Sequence, residues 1–549
     1  MKNFIILFTL SICITDIYAQ NVGINTTPAS PPTNTLDVNG TLRVRGGSPG
    51  AGKVLTSDVN GVGTWTTPAA PYPRITYDAI LALRPILGDM AYDITHRCLR
   101  VYNGTKWVPT YRTPEDKTPE LALFASAGNT AVYTGFNSAV VDGNSNIYVL
   151  GYFTGTTVLG TTTLTSAGVQ DIFIAKYSSD GTVVWAVKAG GILTDFGLSI
   201  ALDASNNVYV TGYYSGTATF GNTTKTSAGN EDIFTLKYST AGVFQWVASS
   251  GGSGFDRGNS IKLDAADNVY VTGYYQGSVT FLGTSGSSIK SSVAGSRDIF
   301  VIKYNSAGAL QWVQSAGGPL NDESNAIAVG KYAQLYITGV YSGTANFGSN
   351  LNKTSTGFGD IFIATLSDVW LSVESAGGSG NDTANGIAVD AFDDVYITGR
   401  IYGSTTATFG VSSITGRGFI AKYSFYGFGA WNWVKPLVSD IDIHGLAITT
   451  DTTNNVYVTG IYNGTATFPT GNKTSFGTDS NTFITKYDAD GNFNWVQTIG
   501  SLRENRGFSI DVDASGNVYI AGFFGSATSF GNFSKTSVGN IDGYITKLR

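Results

Sequence analysis

From residue 119 onward, one pattern of apolar and polar positions recurs seven times. Its clearest copies read NNVYVTGYYSGTATFG around Tyr209, NVYVTGYYQGSVTF around Tyr270 and NNVYVTGIYNGTATF around Tyr457. Weaker copies centre on Tyr148, Tyr336, Tyr396 and Tyr519, and successive tyrosines lie 61, 61, 66, 60, 61 and 62 residues apart. A fixed period of this size marks one supersecondary unit that buries its apolar face by stacking on its neighbours.

Each unit predicts four strands. In the second copy these are A (Ser199 to Asp203), B (Val208 to Tyr214), C (Asp232 to Tyr238) and D (Val243 to Ser249). β-Branched and aromatic residues fall at successive positions instead of alternating, which suits strands covered on both faces. Four-stranded sheets packed face to face around an axis form a β-propeller. Seven anchors predict seven blades. Strand D carries six tryptophans, Trp185, Trp246, Trp312, Trp370, Trp433 and Trp495, and the chain ends on strand C of the last blade. Counting 61 back from Trp185 reaches Phe124. Leu121 to Ser126 are therefore expected to complete the last blade beside Gly543 to Leu548, closing the ring and hiding a sheet edge.

The Asp-led turn, the Asn-Val-Tyr-Val-Thr-Gly run and the strand at Asp171 to Tyr177, Asp298 to Tyr304 and Asp360 to Ile363 resemble the bacterial seven-bladed propeller repeat known as the SBBP repeat. The resemblance covers residues 119–549. It implies a fold and brings no activity with it.

Eleven of the 14 prolines precede residue 120, which sets the first part of the chain apart. Residues 1–19 read as a signal peptide: Lys2, an apolar stretch from Phe4 to Thr15, and a cleavage site at Ala19. Cys13 follows Ile12, where lipid attachment would need a small residue. Residues 20–70 hold short alternating strands with Asn-Gly turns. Val22 to Asn25 and Leu36 to Gly40 there resemble fibre and stalk segments of exported Bacteroidetes proteins and trimeric adhesins. Residues 71–110 predict a short helical stretch, then a small β module. Gly88 to Met90, Tyr92-Asp93 and Tyr102 to Trp107 resemble a module of phage fibres and bacterial surface proteins. Residues 111–118 form the linker. Strands this short bury little core alone, so the N-terminal region is expected to assemble as a homotrimer.

Charge narrows the partners. The net charge is −6, with no basic stripe, which argues against nucleic acid. No later apolar run reaches the ~18 residues of a membrane helix. After cleavage one cysteine remains, Cys98, so no intrachain disulfide is available. His96 and His444 fall in different regions, which leaves no histidine triad or histidine zinc site in the propeller. Gly47 to Lys53 nearly spells a phosphate loop but lacks the following Ser/Thr and the strand–helix setting.

Three residue series remain. Asp142, Asp203, Asp264, Asp390, Asp451 and Asp513 stand six residues before the tyrosine, with Gly330 breaking the series. They read as Asx turns or, alternatively, as calcium loops; Asp488-Ala-Asp490 likewise reads as a glycine hairpin turn or part of a calcium loop. Asp195, Asp256, Asp322 and Asp382 lie in the D–A loops, with Asp442 and Glu504 one place out of register. They either ring the channel mouth to hold a cation or sugar, or cap their own loops. Tyr214, Tyr275 and Tyr341 belong to an aromatic series five residues after the anchor; they either pack or stack on sugars. A second series, including Phe220, Phe281 and Phe347, is expected to pin the long B–C connection.

These readings give an all-β, seven-bladed propeller of four-stranded blades with N-terminal strand closure, preceded by small fibre-like β modules. The expected function is non-enzymatic binding, adhesion or scaffolding toward a protein or glycan, at the outer cell surface or outside the cell. A polysaccharide-active enzyme using mouth carboxylates is the alternative. No cofactor, metal or catalytic residue is assigned.

Overall fold

The computed structural model describes residues 133–548, apart from short gaps at 349, 404–405, 426–428 and 531–532, together with the backbone of seven strands between 54 and 127. The chain divides into two compact units, 1–112 and 113–549. In the first, Val54–Ser57 pairs with Gly63–Thr66, and Arg74–Ile75, Met90–Asp93, Cys98–Tyr102 and Trp107–Pro109 form a four-stranded sheet. The signal peptide, the helical stretch, His96, the linker and the trimer expectation lie outside the described residues, as does the side chain of Cys98.

The second unit is a seven-bladed propeller. Strand B of blade 2, Val208–Tyr214, and strand C, Asp232–Tyr238, fall where the apolar pattern puts them. Strand A is longer than expected, Asp195–Leu202, and strand D runs Phe244–Gly252. The seven strands A pack against one another in a closed ring around the axis. The last sheet closes as the vacancy demanded: Leu121–Ala127 pairs antiparallel with Asp542–Leu548. Its register is one place from expectation. Leu123 faces Lys547 as Trp185 faces Lys176, and Phe124 faces Thr546. Trp370 is also displaced. It faces Leu366, the position held by Phe244 against Tyr238 in blade 2, and Ser372 takes the tryptophan position.

The sheets are not uniformly four-stranded. The B–C connection contains a two-stranded hairpin, Thr217–Phe220 with Thr223–Thr226 in blade 2. This hairpin bonds not to its own blade but to strand D of blade 1, through Ala189–Phe220, Gly190–Thr219 and Gly191–Ala218. Five of the sheets thereby reach six strands. Phe220 is fully buried against Tyr214 and Phe234, with centroids 5.4 and 5.0 Å away. Five of the hairpins therefore staple their blades to the preceding ones.

The aspartate turns are structural. Asp203 Oδ1 accepts N–H groups of Ser205 and Asn207 at 3.0 and 2.8 Å. Its Oδ2 accepts Asn207 Nδ2 and the Tyr209 hydroxyl at 2.8 and 3.2 Å and stands 3.4 Å from Lys237 Nζ. The ammonium also sits over the Tyr209 ring. Where Gly330 interrupts the series, Asp393 of the next blade accepts the Lys331 N–H at 2.8 Å; a Cβ at Gly330 would lie 2.5 Å from its carboxylate. Asp488 makes the same turn in a C–D connection. Asp203→Ala is expected to cost about 2–4 kcal/mol, because it strands several donors and a partly buried ammonium at once; chemical denaturation of the propeller reads this out.

Candidate functional site

Consecutive antiparallel strands place the D–A and B–C connections at one end of every blade, here called the crown, and the A–B and C–D turns at the other. The crown carries the predicted site residues, but not as a surface. Asp195, Asp256, Asp322 and Asp382 open or immediately precede strand A and are fully buried. Asp195 accepts N–H groups of Gly191 and Ser215 at 2.6 and 3.2 Å. Asp256, Asp322 and Asp382 take the equivalent pairs. They clamp the D–A loop to the end of strand B. Burial pushes the first three carboxyls up to about 7 and Asp382 up to about 6, with a strand-C aspartate (Asp171, Asp232, Asp298 or Asp360) adding repulsion. Register explains Asp442 and Glu504: the equivalent positions are Ile443 and Asn505. Tyr214, Tyr275 and Tyr341 are also buried. Their rings meet Phe220, Phe281 and Phe347 edge-on. In this conformation neither set offers a ligand an atom to touch.

One position away the side chains vary, and Tyr152, Tyr213, Val340 and Arg400 are partly exposed while Tyr274, Ile461 and Phe523 are buried. Strand alternation turns the residue four after the anchor to the other face of the sheet. Around the ring this position reads Tyr152, Tyr213, Tyr274, Val340, Arg400, Ile461 and Phe523. Tyr152 stacks on Phe196 at 5.0 Å, and Phe196 on Tyr213 at 5.8 Å with an interplanar angle of 8°. The Arg257 guanidinium covers the next face of Tyr213 at 4.2 Å, and Arg297 covers Tyr274 at 4.6 Å. Gly135 makes room for this column, since a Cβ there would lie 2.5 Å from the Tyr152 ring. Burial, with the Glu504 charge adding to it, pushes the Tyr152 hydroxyl up to about 12, so it stays a neutral donor and acceptor at ordinary pH.

Four of the arginines are paired with carboxylates. Glu231 takes both Nε and Nη2 of Arg257. Arg297 bonds Glu323 at 2.6 Å, Arg506 Nε bonds Glu504 at 2.6 Å, and Arg400 reaches Asp442 at 3.1 Å. Outside this arc, each blade junction exposes an apolar side chain on the crown. These are Leu193 with Ile192, then Phe255, Leu320, Tyr402, Ile441, Leu502 and Tyr133, all 37–71% exposed. The sequence held the signal for both features. Positions identical in every repeat are packing positions; those that vary from blade to blade are free to serve a ligand.

No protein-family model matches the chain. An uncharacterized WD repeat-containing protein of Acanthamoeba polyphaga mimivirus is 26% identical over 529 residues, covering 77% of this chain and 38% of that protein. The regulatory protein FlaEY of Caulobacter vibrioides is 27% identical over 189 residues, 32% of this chain and 20% of that one. The chain thus spans well under half the length of these relatives. Among solved structures, a protein of unknown function from Bacteroides caccae aligns at a TM-score of 0.30 and 8% identity, over 59% of this chain and 89% of that one. A gluconolactonase from Xanthomonas campestris aligns at 0.30 and 11% identity, over 92% of this chain and 100% of that one. Likenesses at this level carry no argument about activity.

Proposed function

We propose that this chain is an exported, surface-associated binding protein that engages its ligand with the propeller crown. The observation that carries the reading is the crown itself, where all seven blade junctions expose an apolar side chain around a mouth of aromatic rings and arginines. Randomly scattered apolar residues are ordinary on a surface, whereas here one stands at each of the seven junctions of the same end. Long connections on a rigid scaffold are also where binding residues concentrate. The opposite end carries six near-identical Asx turns closed on themselves, with little room for specificity. Export rests on residues 1–19, and surface placement on the fibre-like resemblance of residues 20–110, which would present an SBBP-type propeller away from the cell. A polysaccharide-cleaving reading needs two carboxylates facing one cleft; the buried aspartates and the arginine-paired glutamates give it no support.

The test compares two variants on an array of glycans and extracellular-matrix proteins. Leu193→Asp/Leu320→Asp/Leu502→Asp charges the crown, and Tyr332→Asp/Phe392→Asp charges the turn end. Binding should fall at least about tenfold in the first variant alone. Loss confined to the second would show that the wrong face was chosen.

A further inference from the structure

Resting on that reading of the crown, we propose that its ligand is a protein segment with exposed aliphatic and aromatic side chains and little net charge, seated across the channel mouth. Three observations select this class over a glycan.

The first is ring geometry. Sugars stack on free aromatic faces, but the faces of Phe196 and Tyr213 are covered by their neighbours in the column and by the Arg257 guanidinium. Tyr274 is covered by Arg297. The column offers edges and donors, which suit a peptide better than a pyranose.

The second is the segregation of the two basic residue types. Among the described residues of the propeller, all six arginines (257, 297, 400, 417, 503 and 506) stand at the crown. The lysines lie on the hairpins, along the strands or toward the turn end. Protein interfaces enrich arginine and aromatics and deplete lysine, because a planar guanidinium loses less on desolvation and packs flat. A surface selected only for solubility has no reason to sort the two.

The third is charge. Arg257, Arg297, Arg400 and Arg506 each face a carboxylate, and Arg417 is held by the carbonyls of Ser439 and Asp440. Four of the six crown arginines are thus neutralised, and the mouth offers an anionic polymer little free charge. The Leu, Ile, Phe and Tyr side chains of the rim want apolar partners. A neutral, apolar segment satisfies both. A ring contacting all seven junctions could exceed the ~800 Å² per partner of a stable protein interface.

The experiment pans a displayed random-peptide library on the full-length protein, in parallel with neutral and anionic glycan arrays and light scattering of the protein alone. The expected result is enrichment of peptides rich in Leu, Ile, Phe and Tyr with net charge near zero. Their binding should weaken at least about tenfold on Leu320→Ser/Leu502→Ser. It should also weaken on Arg257→Ala, and be unchanged by Tyr332→Asp/Phe392→Asp. The serine changes are at exposed positions, and unchanged thermal melting confirms that each variant is folded. Enrichment of acidic peptides, or peptides that ignore the crown variants, overturns the proposal. Glycans that bind at the crown while no peptide does overturn the ligand class and leave the crown reading standing. Dimerisation abolished by the serine variant assigns the surface to a second copy and overturns it too. Ligands of either kind that seat at the turn end overturn both.

Discussion

A protein that begins at residue 133 should melt at least about 10 °C below one that begins at residue 113, and should aggregate on heating. Residues 121–127 supply the outer strand of the seventh sheet, paired with Asp542–Leu548 over its whole length. Removing them leaves Asp542–Leu548 as a bare edge and takes away the sheet pairing that adds to the packing of Thr134–Val141 on Asn505–Val512 between distant chain segments. The strand also closes a loop of more than 400 residues, so its pairing holds the two ends of the propeller together. Equal melting temperatures would contradict the closure. Recovery on adding a peptide of residues 113–132 would confirm that the strand itself, and not chain length, is responsible.

Propeller stability should fall as pH rises from about 4 to about 7.5, and level off above that. The carboxyls of Asp195, Asp256 and Asp322 are pushed up to about 7 and those of Asp232, Asp298 and Asp382 to about 6, chiefly by burial. In the unfolded chain an aspartate titrates near ~3.9. A group whose pKa is raised by folding contributes fully below the unfolded value, and its contribution is lost as pH climbs through the folded one. Oxygens of Asp171, Asp232 and Asp360 that lack hydrogen-bond partners stand beside these junctions, consistent with a proton held there. Lys188 opposes the effect at Asp171, while Glu231 and Glu323 reinforce it at Asp256 and Asp322. Below pH 4 the Asx turns work the other way. Although burial raises Asp203, Asp264, Asp451 and Asp513, their hydrogen bonds hold the net pKa below the usual value, and stability is lost as pH falls through those lowered values. Melting at pH 8 should therefore lie below melting at pH 5 by on the order of 5 °C. Asp195→Asn, Asp256→Asn and Asp322→Asn together should remove most of that gap. The chain already contains the neutral version, since Asn481 and Asn505 occupy the two positions at the sixth junction. A melting temperature that rises from pH 5 to pH 8 would sink the account.

Much of the fold was legible because the repeats report on one another. The Val-Tyr-Val-Thr-Gly and Asp-Ile-Phe runs of blade 2 are buried on both faces, so its strands B and C could be bounded to the residue, while the strand expected at Asp360 to Ile363 runs on to Leu366. The six tryptophans and the truncated last unit gave the closure. The displaced Trp370 was also visible, because it stands 34 residues after its tyrosine anchor while Trp185, Trp246 and Trp433 stand 37 after theirs. The hairpin's partner was not legible. Thr-Ala-Thr-Phe alternates as a strand should, but nothing local says that it pairs with the preceding blade. The site suffered from the same regularity. Asp195 and Tyr214 drew attention by recurring, yet recurrence in a stacked array marks what each unit needs for packing. Tyr152, Phe196, Arg257 and Arg506 differ from blade to blade, and their juxtaposition depends on which blades are neighbours around the ring.

The most direct test of the crown as the functional face is a structure of the full-length protein bound to the tightest ligand obtained from the peptide and glycan panels. The account predicts the ligand over the channel mouth, touching the rim at Leu193, Leu320 or Leu502 and the Arg257–Tyr213 column. A ligand seated on the Asx turns around Asp203 and Asp264, or on the outer hairpins, would contradict it.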